Sequence, residues 1–224
     1  MVQSKGWDWE NADKSDYSTH LEPADNGLFL AHKWSKAGRE TVLDLGTGLG
    51  RHAICFAKNG LKVSAIDISG YGIRHLQSWA ANEGLELDAQ VADMLSLPYA
   101  DNSFDCVFAY HVISHSDSIG IRKIIREIER VLKPGGEVFL SFSSKETADF
   151  MESMRPKVDD NTMFWEGGPD FDGSPIFYAD RRDIIELLSN FRLESLRHTE
   201  YCSLDIKDSR KNMMYYYVGA VLLA

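Results

Sequence analysis

Three aspartates in the first half of the chain each close a short, mostly apolar run. They are Asp44 after Val42-Leu43, Asp67 after Val63-Ser-Ala-Ile66, and Asp93 after Val91-Ala92. Beyond the first of them stand three glycines at alternate positions, Gly46, Gly48 and Gly50, in Val42-Leu-Asp-Leu-Gly-Thr-Gly-Leu-Gly50. Glycines so placed allow a tight turn and let a ligand approach bare backbone at the N-terminus of a following helix. A carboxylate closing the second strand of such a unit can accept both hydroxyls of a ribose. A glycine-rich turn alone is a weak signal, and its spacing matters more. A dinucleotide fingerprint, G-x-G-x-x-G, requires glycine at position 51, where Arg51 stands, and the Gly-Lys-Ser/Thr ending of a P-loop is missing.

These residues need strands that end together and helices that back them. Thr41–Leu45, Lys62–Asp67, 87–92, 104–110 and 137–142 read as strands. Arg51–Lys58, 69–83 and 180–190 read as helices, and a first helix runs from about Pro23 to near Gly38. The clearest helix carries Ile121, Ile124, Ile125, Ile128 and Leu132 at helical spacing, with Ser118 as its cap and Pro134-Gly135-Gly136 as its stop. Two further strands are expected at 193–199 and 215–223. Alternation of this kind implies an α/β three-layer sandwich with a doubly wound, mostly parallel sheet, and all three aspartates then fall on its carboxyl edge. Residues 155–179 break the rhythm. They are rich in Gly and Pro and carry Phe164, Trp165, Phe171, Phe177 and Tyr178, so they read as an insertion.

At 224 residues the chain suits one domain, with residues 1–40 as a helical lid segment, 41–142 as the ligand-binding core and 155–179 as a lid over a second substrate. The formal net charge of −10 argues against a polyanionic partner, and Arg122, Lys123, Arg126 and Arg130 alternate with Glu127 and Glu129 as on a solvated helix face. Three scattered cysteines, Cys55, Cys106 and Cys202, imply no disulfide framework, and Cys55 and Cys106 read as small buried hydrophobes. The longest apolar stretch, 215–224, is about half of the roughly 20 residues that a membrane helix needs. No secretory signal is visible, so a reducing cytoplasm is the expected compartment, with no membrane partner.

Taken in order, these motifs resemble the class I S-adenosylmethionine-dependent methyltransferase family. Residues 42–50 look like its first motif and Ala-Ile-Asp67-Ile-Ser like its second. Val-Ala-Asp93-Met-Leu-Ser-Leu-Pro followed by Asp101-Asn-Ser-Phe-Asp105-Cys-Val is similar to its adenine-binding region and fourth strand. Glu129-Arg-Val-Leu-Lys-Pro-Gly-Gly-Glu-Val resembles the turn into its fifth strand. The resemblance covers residues 41–142 and implies a seven-stranded sheet whose last strand is antiparallel. It further implies S-adenosylmethionine as cofactor and S-adenosylhomocysteine as product. The cofactor set would be Asp44, Gly46, Thr47, Gly48, Arg51, Asp67, Ile68, Asp93, Met94 and Tyr110. Asp44 would lie near the ammonium and Asp67 would hold the ribose. Asp93 would take the adenine amino group, with Ile68 and Met94 against the ring; for Met94, core packing fits as well.

The family places acceptor-side residues after the fourth strand, here Tyr110-His111-Val-Ile-Ser-His115. His111 is the candidate general base, since its ordinary pKa lies near neutrality; a structural histidine is the competing reading, and for His115 the preferred one. Tyr17 is a candidate to reach cofactor or acceptor from the N-terminal side. Trp165, Phe171, Phe177 and Tyr178 either line an acceptor pocket or pack the insertion onto the sheet. A small-molecule acceptor is expected, with the protein a monomer or homodimer. The Asn-Pro-Pro-Tyr type signature of amino-methylating nucleic-acid enzymes is absent, and no metal-ligand cluster is visible. The alternatives are a methyltransferase-like binding protein without catalysis and transfer of another group, or to a protein, on the same fold.

Overall fold

A computed structural model describes Trp9 and residues 20–151, 157–164, 173–201 and 213–223. Tyr17, Trp165, Phe171 and Cys202 lie outside these residues. In chain order the strands are β1 (Thr41–Leu45), β2 (Lys62–Asp67), β3 (Asp88–Val91), β4 (Phe104–Ala109) and β5 (Leu132–Ser144), then β6 (Lys157–Asp159), β7 (Thr162–Phe164), β8 (Pro175–Ala179), β9 (Phe191–Tyr201) and β10 (Met213–Leu222). The main sheet runs β3-β2-β1-β4-β5 in parallel. It continues through β10, antiparallel to β5, and ends on β9, antiparallel to β10. That is the expected seven-stranded sheet with an antiparallel last strand.

Helices cover both faces. On one lie α1 (Asp25–Lys36), α2 (Arg51–Lys58) and α3 (Gly70–Asn82), packed through Trp34, Phe56, Leu76 and Phe108. On the other lie α4 (Ser118–Val131) and, after the single turn α5 (Ala148–Met151), α6 (Arg181–Leu187), packed through Ile121, Ile124, Ile128, Phe142 and Ile184. Alternate side chains of each strand feed the two cores.

Two expectations need correction. The cap of α4 is Asp117, whose Oδ1 accepts the N–H groups of Ile119 and Gly120 at 3.1 and 2.7 Å; Ser118 instead donates its hydroxyl to Asp159 at 2.8 Å. A carboxylate in extended backbone meets the positive helix end better than the neighbouring hydroxyl does. Residues 133–136 do not form a separate turn. The helix stops at Val131, and β5 begins at once with a register irregularity, Phe104 facing Leu132 and Cys106 facing Glu137. The described part of 155–179 is a small meander, β6-β7-β8, with β8 alongside the far end of β5. Strands of three residues show no periodicity; only their pairing makes them strands. Phe177 is buried in the main core and Tyr178 in a satellite cluster with Met163 and Ile176, so both pack rather than line a pocket.

The N-terminal helix is clamped by one carboxylate. Glu137 on β5 accepts Lys33 Nζ at 2.6 Å, Trp34 Nε1 at 3.1 Å, and Arg39 Nε and Nη2 at 3.2 and 3.0 Å. Burial would raise its pKa, but the Lys33 and Arg39 contacts outweigh that and hold it below the ordinary 4.5. Both free cysteines among the described residues, Cys55 and Cys106, are buried. No described helix is long and apolar enough to cross a membrane. Replacing Glu137 by Gln is expected to cost about 1–3 kcal/mol of stability at neutral pH. Because a depressed carboxylate stabilises only above its unfolded value, the gap should close as pH falls below 4.5. Denaturant unfolding of both proteins across that range measures this, and a gap independent of pH would contradict the clamp.

Candidate functional site

The glycine turn joins β1 to α2 and is tied to the neighbouring strand, where Gly46 and Thr47 both donate their N–H to the Ile66 carbonyl at 2.8 and 2.9 Å. Gly46 has φ +70°, and a Cβ there would stand 2.1 Å from Val112 Cγ2, so no other residue fits. Gly48, at φ +57°, turns its N–H onto Asp67 Oδ2 at 2.8 Å. The other oxygen of Asp67 accepts Ser69 N–H at 2.8 Å, at the start of α3. The Ile68 N–H also donates to this carboxylate, which keeps acceptor capacity for a hydroxyl. Burial raises the Asp67 pKa, opposed by the backbone N–H groups of Ser69 and Gly48.

Asp44 lies beneath the turn, 2% exposed. It accepts the Thr47 hydroxyl at 2.6 Å and the backbone N–H of Ala53 in the first turn of α2. Burial pushes its carboxyl up to about 7, against those two hydrogen bonds and the charge of Arg51. A buried carboxyl this hard to ionise is stabilised as an anion by any further cation brought to it. Arg51 leans over the Tyr110 ring, 5.6 Å from its centroid, and donates Nη1 to the Glu22 carbonyl at 3.3 Å.

At the third strand end, Asp93 Oδ1 accepts Leu95 N–H at 2.9 Å, and Ala92 N–H donates to the Asp67 carbonyl at 3.0 Å, which ties the two tips together. Ile68 is 41% exposed beside Asp67, whereas Met94 packs in the main core with Leu95 and Leu97.

Past β4 the chain makes an unusual bend, with His111 at φ +53° and its N–H held by the Ser141 hydroxyl. The imidazole lies between the rings of Tyr110 and Tyr215, with centroids 4.1 and 4.0 Å away. Its Nε2 is 2.8 Å from the Tyr217 hydroxyl, which is 2.8 Å from the Tyr201 hydroxyl. Burial, with Arg51 and His115 adding, pulls the His111 pKa down to about 3, so the ring is neutral at physiological pH. Burial likewise pulls His115 to about 4, and its ring hydrogen-bonds the His111 backbone. Tyr201, Tyr215 and Tyr217 were not foreseen. The available signal was Tyr215 and Tyr217 at period two in an otherwise apolar strand, a pattern that puts both on one face.

A second constellation has the order of a nucleophilic triad but not its chemistry. His198 Nε2 is 3.0 Å from Ser144 Oγ, and His198 Nδ1 lies 3.9 Å from Glu146. Ser144 is fully buried, and its oxygen already accepts Glu146 N–H at 3.1 Å. An inaccessible hydroxyl cannot attack, so the trio joins β5 to β9. Among the described residues no three His, Cys, Asp or Glu side chains gather as metal ligands would.

The raised pKa of Asp44 has a measurable cost. Its contribution to stability is fully present below the ordinary 3.8 and is lost as pH rises through about 7. Replacing Asp44 by Asn should remove that decline, so the variant gains melting temperature relative to the parent between pH 5 and 8. Parallel melting curves across this range would count against the burial argument.

Comparison with known proteins follows the same lines. Residues 43–140 match the methyltransferase domain family. A glycine/sarcosine/dimethylglycine N-methyltransferase of Actinopolyspora halophila is 30% identical over 207 residues, covering 85% of this chain and 33% of that protein. A sterol 24-C-methyltransferase of Gibberella zeae is 36% identical over 111 residues, 48% of this chain and 29% of that one. The chain therefore spans about a third of the length of these relatives. Among solved structures, a SAM-dependent methyltransferase of Methanosarcina mazei shares the fold, with TM-score 0.69, 21% identity, and coverage of 82% of this chain and 92% of that one. With the glycine turn, the strand-end aspartates and the sheet order all in place, residues 43–140 form a methyltransferase domain, and the chain as a whole is similar to the class I S-adenosylmethionine-dependent methyltransferases.

Proposed function

We propose that this chain binds S-adenosylmethionine over the glycine turn and transfers its methyl group to a small molecule. The observation that carries this reading is the Asp67 carboxylate, fixed by Gly48 N–H and Ser69 N–H with acceptor capacity to spare for a ribose diol. Asp44 takes the ammonium end, where a cation offsets the cost of burying the carboxylate. Gly46, Thr47 and Gly48 offer backbone, Arg51 and Tyr110 close the methionine side, and Asp93 with Ile68 meets the adenine. Met94 supports that end from within the core.

The bound sulfonium supplies an electrophilic methyl carbon, and the protein must align a nucleophile with it and exclude water. His111 serves the acceptor side as a neutral hydrogen-bonding group, because Tyr217 holds its Nε2 and burial disfavours the imidazolium. A base this weak suits an acceptor that arrives with a free lone pair or sheds its proton to water. The relatives named as N- and C-methylating enzymes act on small molecules, which supports the acceptor class. The same reading makes residues 1–224 one cytoplasmic domain, monomeric or homodimeric, with residues 1–40 and 155–179 near the acceptor. The net charge of −10 speaks against nucleic acid.

S-Adenosylhomocysteine should raise the melting temperature where NAD and ATP do not; no shift at saturating ligand would sink the proposal. Asp67→Ala should weaken S-adenosylhomocysteine binding by about 2–4 kcal/mol, with calorimetry as the measure and an unchanged constant as the contrary result. His111→Ala should leave that constant nearly intact; a parallel loss would assign His111 to the cofactor pocket instead.

A further inference from the structure

One wall of the crevice comes from far outside the strand tips. The indole of Trp9 lies on the glycine turn: a Cβ added at Gly48 would come within 2.9 Å of Trp9 Cζ2 and 3.4 Å of Cε2. A Cβ at Gly72, in the first turn of α3, would come within 3.6 Å of Trp9 Cδ1 and only 2.5 Å from the Gly48 carbonyl oxygen. Turn and helix thus meet through two bare residues, and the indole rests on the seam. His20 packs edge-on to the same ring at 5.2 Å. A little further along the chain, Glu22 accepts from Arg51 at 3.3 Å, and Ala24 N–H donates to His52 Nε2 at 3.2 Å. Trp9, Glu22 and Ala24 therefore sit against Gly48, Arg51, His52 and Gly72, residues that form the turn or abut it.

We propose that Trp9 is a cofactor-site residue whose indole walls the crevice beside the Gly48–Asp67 hydrogen bond. This rests on the cofactor reading above. The physical role is exclusion of water: hydrogen bonds to a carboxylate strengthen when solvent is kept from them, and a rigid aromatic ring does this at small cost in side-chain entropy. Gly72 makes the arrangement possible, since any side chain there would push the turn away from α3.

The test is calorimetric titration of the full chain with S-adenosylhomocysteine, using the parent, Trp9→Ala, Trp9→Phe and Asp67→Ala, together with ligand-free melting curves. Trp9→Ala should bind about tenfold more weakly, Trp9→Phe should recover most of the loss, and ligand-free melting should barely move. Unchanged or tighter binding by Trp9→Ala overturns the proposal; tighter binding would mean the indole occupies the ligand's own place. Loss in Asp67→Ala without loss in Trp9→Ala leaves the cofactor reading standing and removes Trp9 alone. A parent that binds no S-adenosylhomocysteine removes both.

Discussion

The carboxylate of Asp67 accepts backbone N–H groups from Gly48 of the turn and from Ile68 and Ser69 at the start of α3, and so joins three elements at a point. A shift of either the turn or the helix would break one of these bonds. Gly46 and Thr47 add two bonds to the Ile66 carbonyl, one residue earlier on the same strand. The glycine turn is therefore held by the end of β2 as well as by its own Gly50 N–H to Thr47 carbonyl and Thr47 hydroxyl to Asp44 bonds. This matters because left-handed backbone at Gly46, Gly48 and Gly50 carries little intrinsic preference of its own.

Around that junction the polar groups divide by environment. Asp44 is buried at the foot of α2 and hard to ionise, while Asp67 keeps part of its surface open at the edge. His111 is neutral among tyrosines, and Arg51 lies over one of those rings. A pair of strand-tip carboxylates thus adjoins an aromatic region with one guanidinium over it. The two regions have different origins. The acidic one comes from consecutive parallel strands, and the aromatic one from the bend after β4 and a strand that enters between β5 and β9.

That difference explains what could be read in advance. Strand-end aspartates and alternate glycines lie within a few residues of one another, so Asp44, Asp67 and the parallel core were legible from local pattern. Asp117 and Ser118 are both residue types that cap helices, and only the bond geometry assigns the role to Asp117. The short strands of 157–164 have no period to detect. Tyr217, itself bonded to Tyr201, meets His111 across 106 positions of sequence, and nothing local announces a contact of that span. Gly72 was passed over because its reason, the Gly48 carbonyl facing it, exists only after folding.

The antiparallel strand β10 has a consequence for the order in which the molecule assembles. Strands β1 to β4 and their helices can dock as they leave the ribosome, each beside a near neighbour in the chain. The outer edge of β5 and the Tyr217 hydroxyl that meets His111 must wait for residues 213–222, which follow β9 in the chain and slot between two strands already made. The nascent chain thus completes its strand-tip carboxylates early, leaves one edge of β5 open meanwhile, and gains its tyrosine cluster only once β10 has entered the sheet.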